Sequence, residues 1–364
     1  NSPIYFLAGT MGTSAAAYDG NGNIVWYLTE NYTLDMEFLD NGHILLSNNR
    51  ASGISYTYDG FIEIDYLGKI YHNYSLKNGY HHEIIELNDG TFMVAGGSDD
   101  TEAPYISDMI YRINKETGEV LDSLTIYEIF AGIDQEFADS LTGTNMIVNS
   151  VWYDEETDEC IISIRGFNAV ASVQYKEKKL NWLFSDPTLF SEKFEPYLLE
   201  VTDNSRYPKG QHTAYLTEDG NLTVFNNDYN VLETGSAYLI DYQNSYSSAV
   251  IYEIAGKEIK TLWEYDGNKE YFNYALGSFI LDEDSKLINF GWSYKAEAYR
   301  EGVTIYDYAG NTYARIVELN DNDEEIFSAT IEEGIYRAYK HTLYNEITPN
   351  YSLDDFTLVD NNDK

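Results

Sequence analysis

The chain of 364 residues carries 61 Asp and Glu against 22 Lys and Arg, a formal net charge of −39, six His and one Cys. Such a charge repels phosphate, which excludes nucleic acid and anionic membrane surfaces as natural partners. One cysteine excludes a disulfide framework and a cysteine-based zinc site, no apolar run approaches the ~20 residues that span a bilayer, and 43% apolar content excludes global disorder.

The 35 tyrosines and 26 glycines, with only six prolines, favour strands and tight turns. In chain order, strand-like IYFLAG is followed by AYDGNGNIVWYL from Ala17, two short strands about a Gly turn. A different hairpin phrase, LDMEFLDNGHILLS, starts at Leu34, and IEIDYLGKIYHNY follows from Ile62. The alternation continues as HEIIELNDGTFMVAGG from His82 and MIYRINKETGEVLDSL from Met109. Residues 127–141 read as a short helix. IVNSVWYDEETDECIISIRG then begins at Ile147 and SVQYKEKKLNWLF at Ser172, with HTAYLTEDGNLTVFNND at His212 and IYEIAGKEIKTLWEY at Ile251. The last phrases are GSFILDEDSKLINFGWS from Gly277, TIYDYAGNTYARI from Thr304 and a looser IFSATIEEGIYRAY from Ile326.

Two hairpins per repeat and six repeats predict an all-β fold, a six-bladed β-propeller of four-stranded antiparallel blades filling residues 1–364 as one domain. N-terminal strands are expected to join the C-terminal blade and close the ring. The longer repeats carry insertions at 98–108, 127–146, 186–210 and 228–247, which belong on loops.

Equivalent hairpin starts should ring one mouth of the central channel. They are Leu34, His82, Ile147, His212, Gly277 and Ile326. Arg165 ends the following strand of the third repeat, where the other repeats have Asn49, Gly97 and Asn227. Two imidazoles and one fixed cation suit transfer of a small anionic group: an unprotonated His attacks or moves a proton, and Arg balances charge. Local cations outweigh distant carboxylates beyond a Debye length of ~8 Å. Each residue also has an ordinary reading. The histidines can be hydrogen-bonded strand residues, and Arg165 can brace Asp158 or Glu159. His43, His72 and His341 read as surface or sheet residues, and Cys160 as a small core residue. The acidic turns lack the ligand pattern of a calcium loop, and the chain has no Gly-rich phosphate loop, GxSxG elbow or zinc motif.

Five segments, HHEIIELNDGTFMV, NSVWYDEETDECIISIRG, LNWLFSDP, KGQHTAYLTEDGNLTVFNND and LINFGWS, resemble the bacterial arylsulfate sulfotransferases (the arylsulfotransferase, or ASST, family). The resemblance implies a propeller that moves a sulfuryl group from a phenolic sulfate ester to another phenol. It implies no cofactor and no nucleotide donor, with a histidine sulfated transiently in a ping-pong cycle. Carried over by motif, His212 of GQHTAY is the nucleophile, His82 of the pair His81–His82 is the second catalytic imidazole, and Arg165 clamps the sulfate. Arg165, Asn149, His81 and Asn227 are expected to bind substrate. The resemblance also implies an extracytoplasmic location, and partners limited to a small aryl sulfate donor and a phenolic acceptor. The chain departs from the family where D-W-x-H-x-N-S is usual: Ile147 stands in the place of that histidine, and Gly166-Phe167-Asn168 replaces a more polar segment. A missing imidazole removes a source of protons for the leaving phenoxide; alternatively, a more apolar mouth turns a catalytic pocket into one that only binds aromatic anions or a partner. A purely structural surface module is a third reading.

Overall fold

The fold was obtained as a computed structural model, which describes residues 3–10, 14–30, 34–48, 50, 57–97, 104–229, 245–282, 284–294 and 312–343. Asn49, most of the phrase from Thr304, and parts of the stretches 98–108 and 228–247 lie outside the described residues.

Strands follow one another as antiparallel neighbours, and the sheets repeat in a propeller-like, all-β arrangement. Val148–Asp154, Glu159–Ile164, Ala169–Gln174 and Lys179–Phe184 form one four-stranded sheet in sequence order. The next sheet runs from His212–Leu216 through Leu222–Asn226 and Ser248–Ala255 to Glu258–Tyr265, with the short Glu200–Val201 added parallel at its edge. Ser278–Leu281, Ser285–Tyr294, Thr312–Asn320 and Glu325–Ile331 make another. A seven-stranded sheet spans Met36–Phe38 to Val120–Thr125, and its central strand Ile70–Glu86 is 17 residues long. The first part of that strand pairs with Tyr58–Ile64 and its end pairs with Thr91–Gly96.

The remaining sheet joins the two ends of the described chain. Ile335–His341 pairs with Ile4–Gly9, which continues to Ala16–Asp19 and Ile24–Tyr27. This corrects the reading of the last hairpin. Ile326 lies in the outermost strand of its sheet and is 56% exposed, far from any inner position. The turn at Glu332-Glu333-Gly334 joins two different sheets, so the inner strand begins at Ile335. Likewise Thr312–Ile316, read as closing a hairpin, belongs to the third strand of its sheet, and the turn falls near Asn320–Glu324.

Burial falls from inner to outer strands. Ile44–Ser47 and Leu222–Asn226 are buried at every position, whereas Ile24, Tyr27, Val120, Leu121 and Leu262 on outermost strands are exposed. The apolar core therefore lies between neighbouring sheets, as the cluster joining Ile161, Val170 and Phe184 to Val224, Val250 and Tyr252 illustrates. The helical expectation for 127–141 resolves into α1 (Ile126–Ala131) and α2 (Gln135–Ser140). Thr125 caps α1 in a reciprocal box with Glu128, and Asp134 caps α2, so the chain must break between them. The insertions pack together through Phe130, Phe137, Phe167, Phe190 and Phe194. Phe167 is thus held in this cluster.

Candidate active site

A repeated hydrogen bond defines which inner-strand residues are equivalent. Asp35 Oδ2 accepts from the Ile84 N–H at 3.0 Å, Glu83 Oε2 from Val151 at 3.4 Å, Ser150 Oγ from Ala214 at 3.0 Å and Ser278 Oγ from Ala338 at 3.4 Å. In each case one inner strand's side chain holds the backbone of the next. Counting one residue back from Asp35, Glu83, Ser150, Ser278 and Arg337 gives Leu34, His82, Asn149, Gly277 and Tyr336, and His212 stands two before Ala214. By this criterion Leu34, His82, His212 and Gly277 occupy equivalent places in their strands, with Asn149 in place of Ile147 and Tyr336 in place of Ile326.

His212 is 2% exposed at the start of its strand, and its surroundings fix its tautomer. Nδ1 faces two acceptors, Asn227 Oδ1 at 2.7 Å and Gly210 O at 3.0 Å, so it carries the proton. Nε2 keeps its lone pair and accepts the Leu276 N–H at 3.2 Å. Asn227 is held in turn by donating to Asn273 O and Leu276 O, at 3.0 and 2.9 Å. Its amide is engaged at both ends inside the protein, so Asn227 orients His212. Burial, aided by the Arg165 cation, lowers the His212 imidazole to about 3. It is a neutral base throughout the ordinary pH range.

His82 is 6% exposed, with Nδ1 2.9 Å from Nδ1 of His81. One of the two nitrogens donates and the other accepts. Burial lowers both, His81 to about 4 and His82 well below the usual range, the latter helped by His81, His212, Arg337 and Arg165. His81 is fully buried and supports His82 from behind.

Arg165 leaves the third sheet in a tight turn that depends on glycine. A Cβ on Gly166 would lie 2.0 Å from Asn145 O, whereas the glycine N–H bonds Met146 O at 2.7 Å. The Arg165 guanidinium donates from Nη2 to Tyr274 O at 2.9 Å and lies 5.1 Å from the Tyr274 ring centre. Its Nε is buried with no hydrogen-bond partner among the described residues. Asn149 donates to Gln211 O at 2.8 Å, while its Oδ1 is buried and unpartnered. Arg165, with a donor to spare, is a natural oxyanion ligand. The bracing of Asp158 or Glu159 is not what it does: Asp158 meets Tyr153 and Lys176, and Glu159 meets Ser172.

Behind the histidines lies a network the sequence reading missed. Arg337, 4% exposed, binds Glu83 through Nη1 and Nη2 at 2.5 and 2.6 Å and Asp35 through Nη1 at 2.9 Å. Tyr339 also donates to Asp35, and Arg337 Nη2 reaches Asn149 O at 3.2 Å. The Tyr336 hydroxyl donates towards His82 O and Asn149 O, both at 3.4 Å. The neighbouring carboxylates hold the Arg337 cation well above its ordinary range, against the opposing effect of burial. Tyr336 and Arg337 follow Gly334 as His212 follows Gly210, which is the one cue the sequence offered.

Ile147 keeps an unusual backbone. Its φ is +47°, a left-handed conformation that β-branched side chains adopt least readily and that histidine tolerates better. His82 has the same feature at +65°. The Ile147 backbone remains useful, because its carbonyl accepts the Arg165 N–H at 3.1 Å. Among the described residues no three His, Cys, Asp or Glu side chains are grouped as a metal site requires, and no helix is long and apolar enough to cross a membrane.

The fold and this constellation define a propeller-like all-β protein with an anion-suited site at the start of its inner strands. The chain belongs to the arylsulfotransferase (ASST) family, whose match covers residues 1–340. It is 22% identical over 379 aligned residues to arylsulfate sulfotransferase AssT of Escherichia coli and 24% identical over 379 to AssT of Lelliottia amnigena. Each alignment covers 85% of this chain and 61% of the relative, so the chain spans about three-fifths of their length. Among solved structures, a protein of unknown function from Bacteroides caccae matches with a TM-score of 0.55 at 13% identity, over 93% of this chain and 98% of that one. That likeness concerns the fold alone.

Proposed function

We propose that the chain transfers a sulfuryl group from an aryl sulfate to a phenolic acceptor through a sulfated His212. The same proposal takes the seven-stranded sheet as two blades sharing Ile70–Glu86, which with the other sheets makes one six-bladed ring closed by Ile335–His341 against Ile4–Gly9. The observation that carries the reading is the state of His212: proton on Nδ1, lone pair on Nε2, and a cation with an unused donor beside it.

In the first half-reaction Nε2 attacks sulfur and the bond from sulfur to the aryl oxygen breaks, its electron pair leaving with the phenoxide. The Nδ1–H bonds to Asn227 and Gly210 hold the positive charge that develops on the ring. As Nε2 turns its lone pair to sulfur it gives up the Leu276 N–H, which with Arg165 takes the sulfuryl oxygens. His82, neutral and close by, adds no charge that would compete with Arg165 for the anion. In the second half-reaction an acceptor phenol attacks the same sulfur and Nε2 recovers its pair. An extracytoplasmic setting for this chemistry is part of the proposal and rests on the family alone. A binding-only propeller has one observation in its favour, the apolar Ile147 in the place of a family histidine.

Initial rates with nitrophenyl sulfate and varied phenol are expected to give parallel double-reciprocal lines. Because His212 is held at about 3, the donor-dependent rate should stay level as pH falls through the ordinary imidazole range, from about pH 8 to about pH 5. Protonation would remove the nucleophile only below that window. Saturable donor binding without transfer, or an acid limb near pH 6.5, would overturn the assignment.

A further inference from the structure

With isoleucine in the place of the family histidine, the departing phenoxide needs another source of its proton. We propose that Tyr229 donates it, an assignment that rests on the sulfuryl-transfer reading above. The Tyr229 ring lies close against Gly210, whose backbone orients the nucleophile. A Cβ on Gly210 would come within 2.4 Å of Tyr229 Cε1, and the carbonyl of this same glycine holds His212 Nδ1 at 3.0 Å. On its other side the ring packs 5.3 Å from Tyr274, the residue that Arg165 both covers and bonds. Tyr229 is thus tied to the base through Gly210 and to the sulfate clamp through Tyr274.

Asn168 joins the Arg165 turn to the same glycine. It sits at φ +52° after the Arg165 turn, and its Oδ1 accepts the Gly210 N–H at 2.8 Å. Its side chain, like the Arg165 cation, favours the phenolate form of Tyr229. Burial raises the phenol, while Arg165 draws it back. It therefore stays protonated at neutral pH, as a donor must.

The proton balance closes. As the bond from sulfur to the aryl oxygen breaks, the Tyr229 proton passes to that oxygen and the tyrosine becomes a phenolate beside Arg165 and Asn168. In the second half-reaction the acceptor phenol returns a proton to Tyr229 as its oxygen attacks sulfur. Donor and leaving group are both phenols with ordinary values near ~10, so the transfer is nearly balanced in energy.

The test is Tyr229→Phe, which keeps the ring, measured beside Tyr274→Phe on aryl sulfates whose leaving phenols range from nitrophenol to unsubstituted phenol. Tyr229→Phe should slow phenyl sulfate by about 10²-fold and nitrophenyl sulfate by less than about threefold, steepening the dependence on leaving-group acidity. Asn168→Ala should shift the dependence in the same direction by a smaller factor. Tyr274→Phe should leave the slope unchanged. An unaltered slope in Tyr229→Phe, with or without a uniform loss of rate, overturns the assignment while leaving the sulfuryl-transfer reading in place. Wild-type protein that transfers nothing even from nitrophenyl sulfate overturns both.

Discussion

Replacing His212 is expected to abolish transfer, with a loss on the order of 10⁶-fold, the scale on which removing a covalent nucleophile acts. His212→Gln is the better variant for separating chemistry from folding. Alanine would strand Asn227 Oδ1 and the Leu276 N–H in a buried place, each at about 1–3 kcal/mol, whereas glutamine can still bond them. The variant should therefore melt close to wild type and be inert. Steady-state assays with nitrophenyl sulfate, read beside a thermal melt, check both halves. Transfer within about tenfold of wild type would remove His212 from the mechanism.

The second large effect concerns stability. Arg337→Met leaves Asp35 and Glu83 buried without their cation, and should cost about 3–5 kcal/mol. Burial already lifts Glu83 to about 8 despite Arg337, and removing the guanidinium should raise it further. Combining Arg337→Met with Asp35→Asn and Glu83→Gln should recover most of the loss, since the charges vanish together. Urea unfolding of the single and triple variants measures this. A loss below about 1 kcal/mol in the single variant would mean that the network does not hold these inner strands together.

The hairpins were legible because their alternation and their Gly-bearing turns are local properties. His82, His212 and Arg165 were legible for a related reason: equivalent positions in a repeat share one place in space, so rare residues there stand out. The errors arise where that local logic stops. Glu332-Glu333-Gly334 has the composition of a hairpin turn but links two sheets, and only the pairing of Ile335–His341 with Ile4–Gly9 reveals it. Irregular pairing at Asn149 and at Thr213 breaks the simple count along the hairpins, and only the bonds from Val151 to Glu83 and from Ala214 to Ser150 assign the equivalent position to Asn149 in place of Ile147. Arg337 in the run IYRAYK reads as a solvent-facing cation, because its partners Asp35 and Glu83 lie some 250 to 300 residues away in sequence. Tyr229 and Tyr274 were invisible for another reason. Among 35 tyrosines nothing marks these two except contact with Arg165 and Gly210.

The most direct test is to expose the protein briefly to nitrophenyl sulfate without acceptor and to map the peptides by mass spectrometry. A sulfuryl adduct on the peptide containing His212, absent from His212→Gln and lost when phenol is added, is the predicted result. Donor bound to the site with no adduct on that peptide, or an adduct that phenol cannot discharge, would contradict a sulfated His212 as the intermediate.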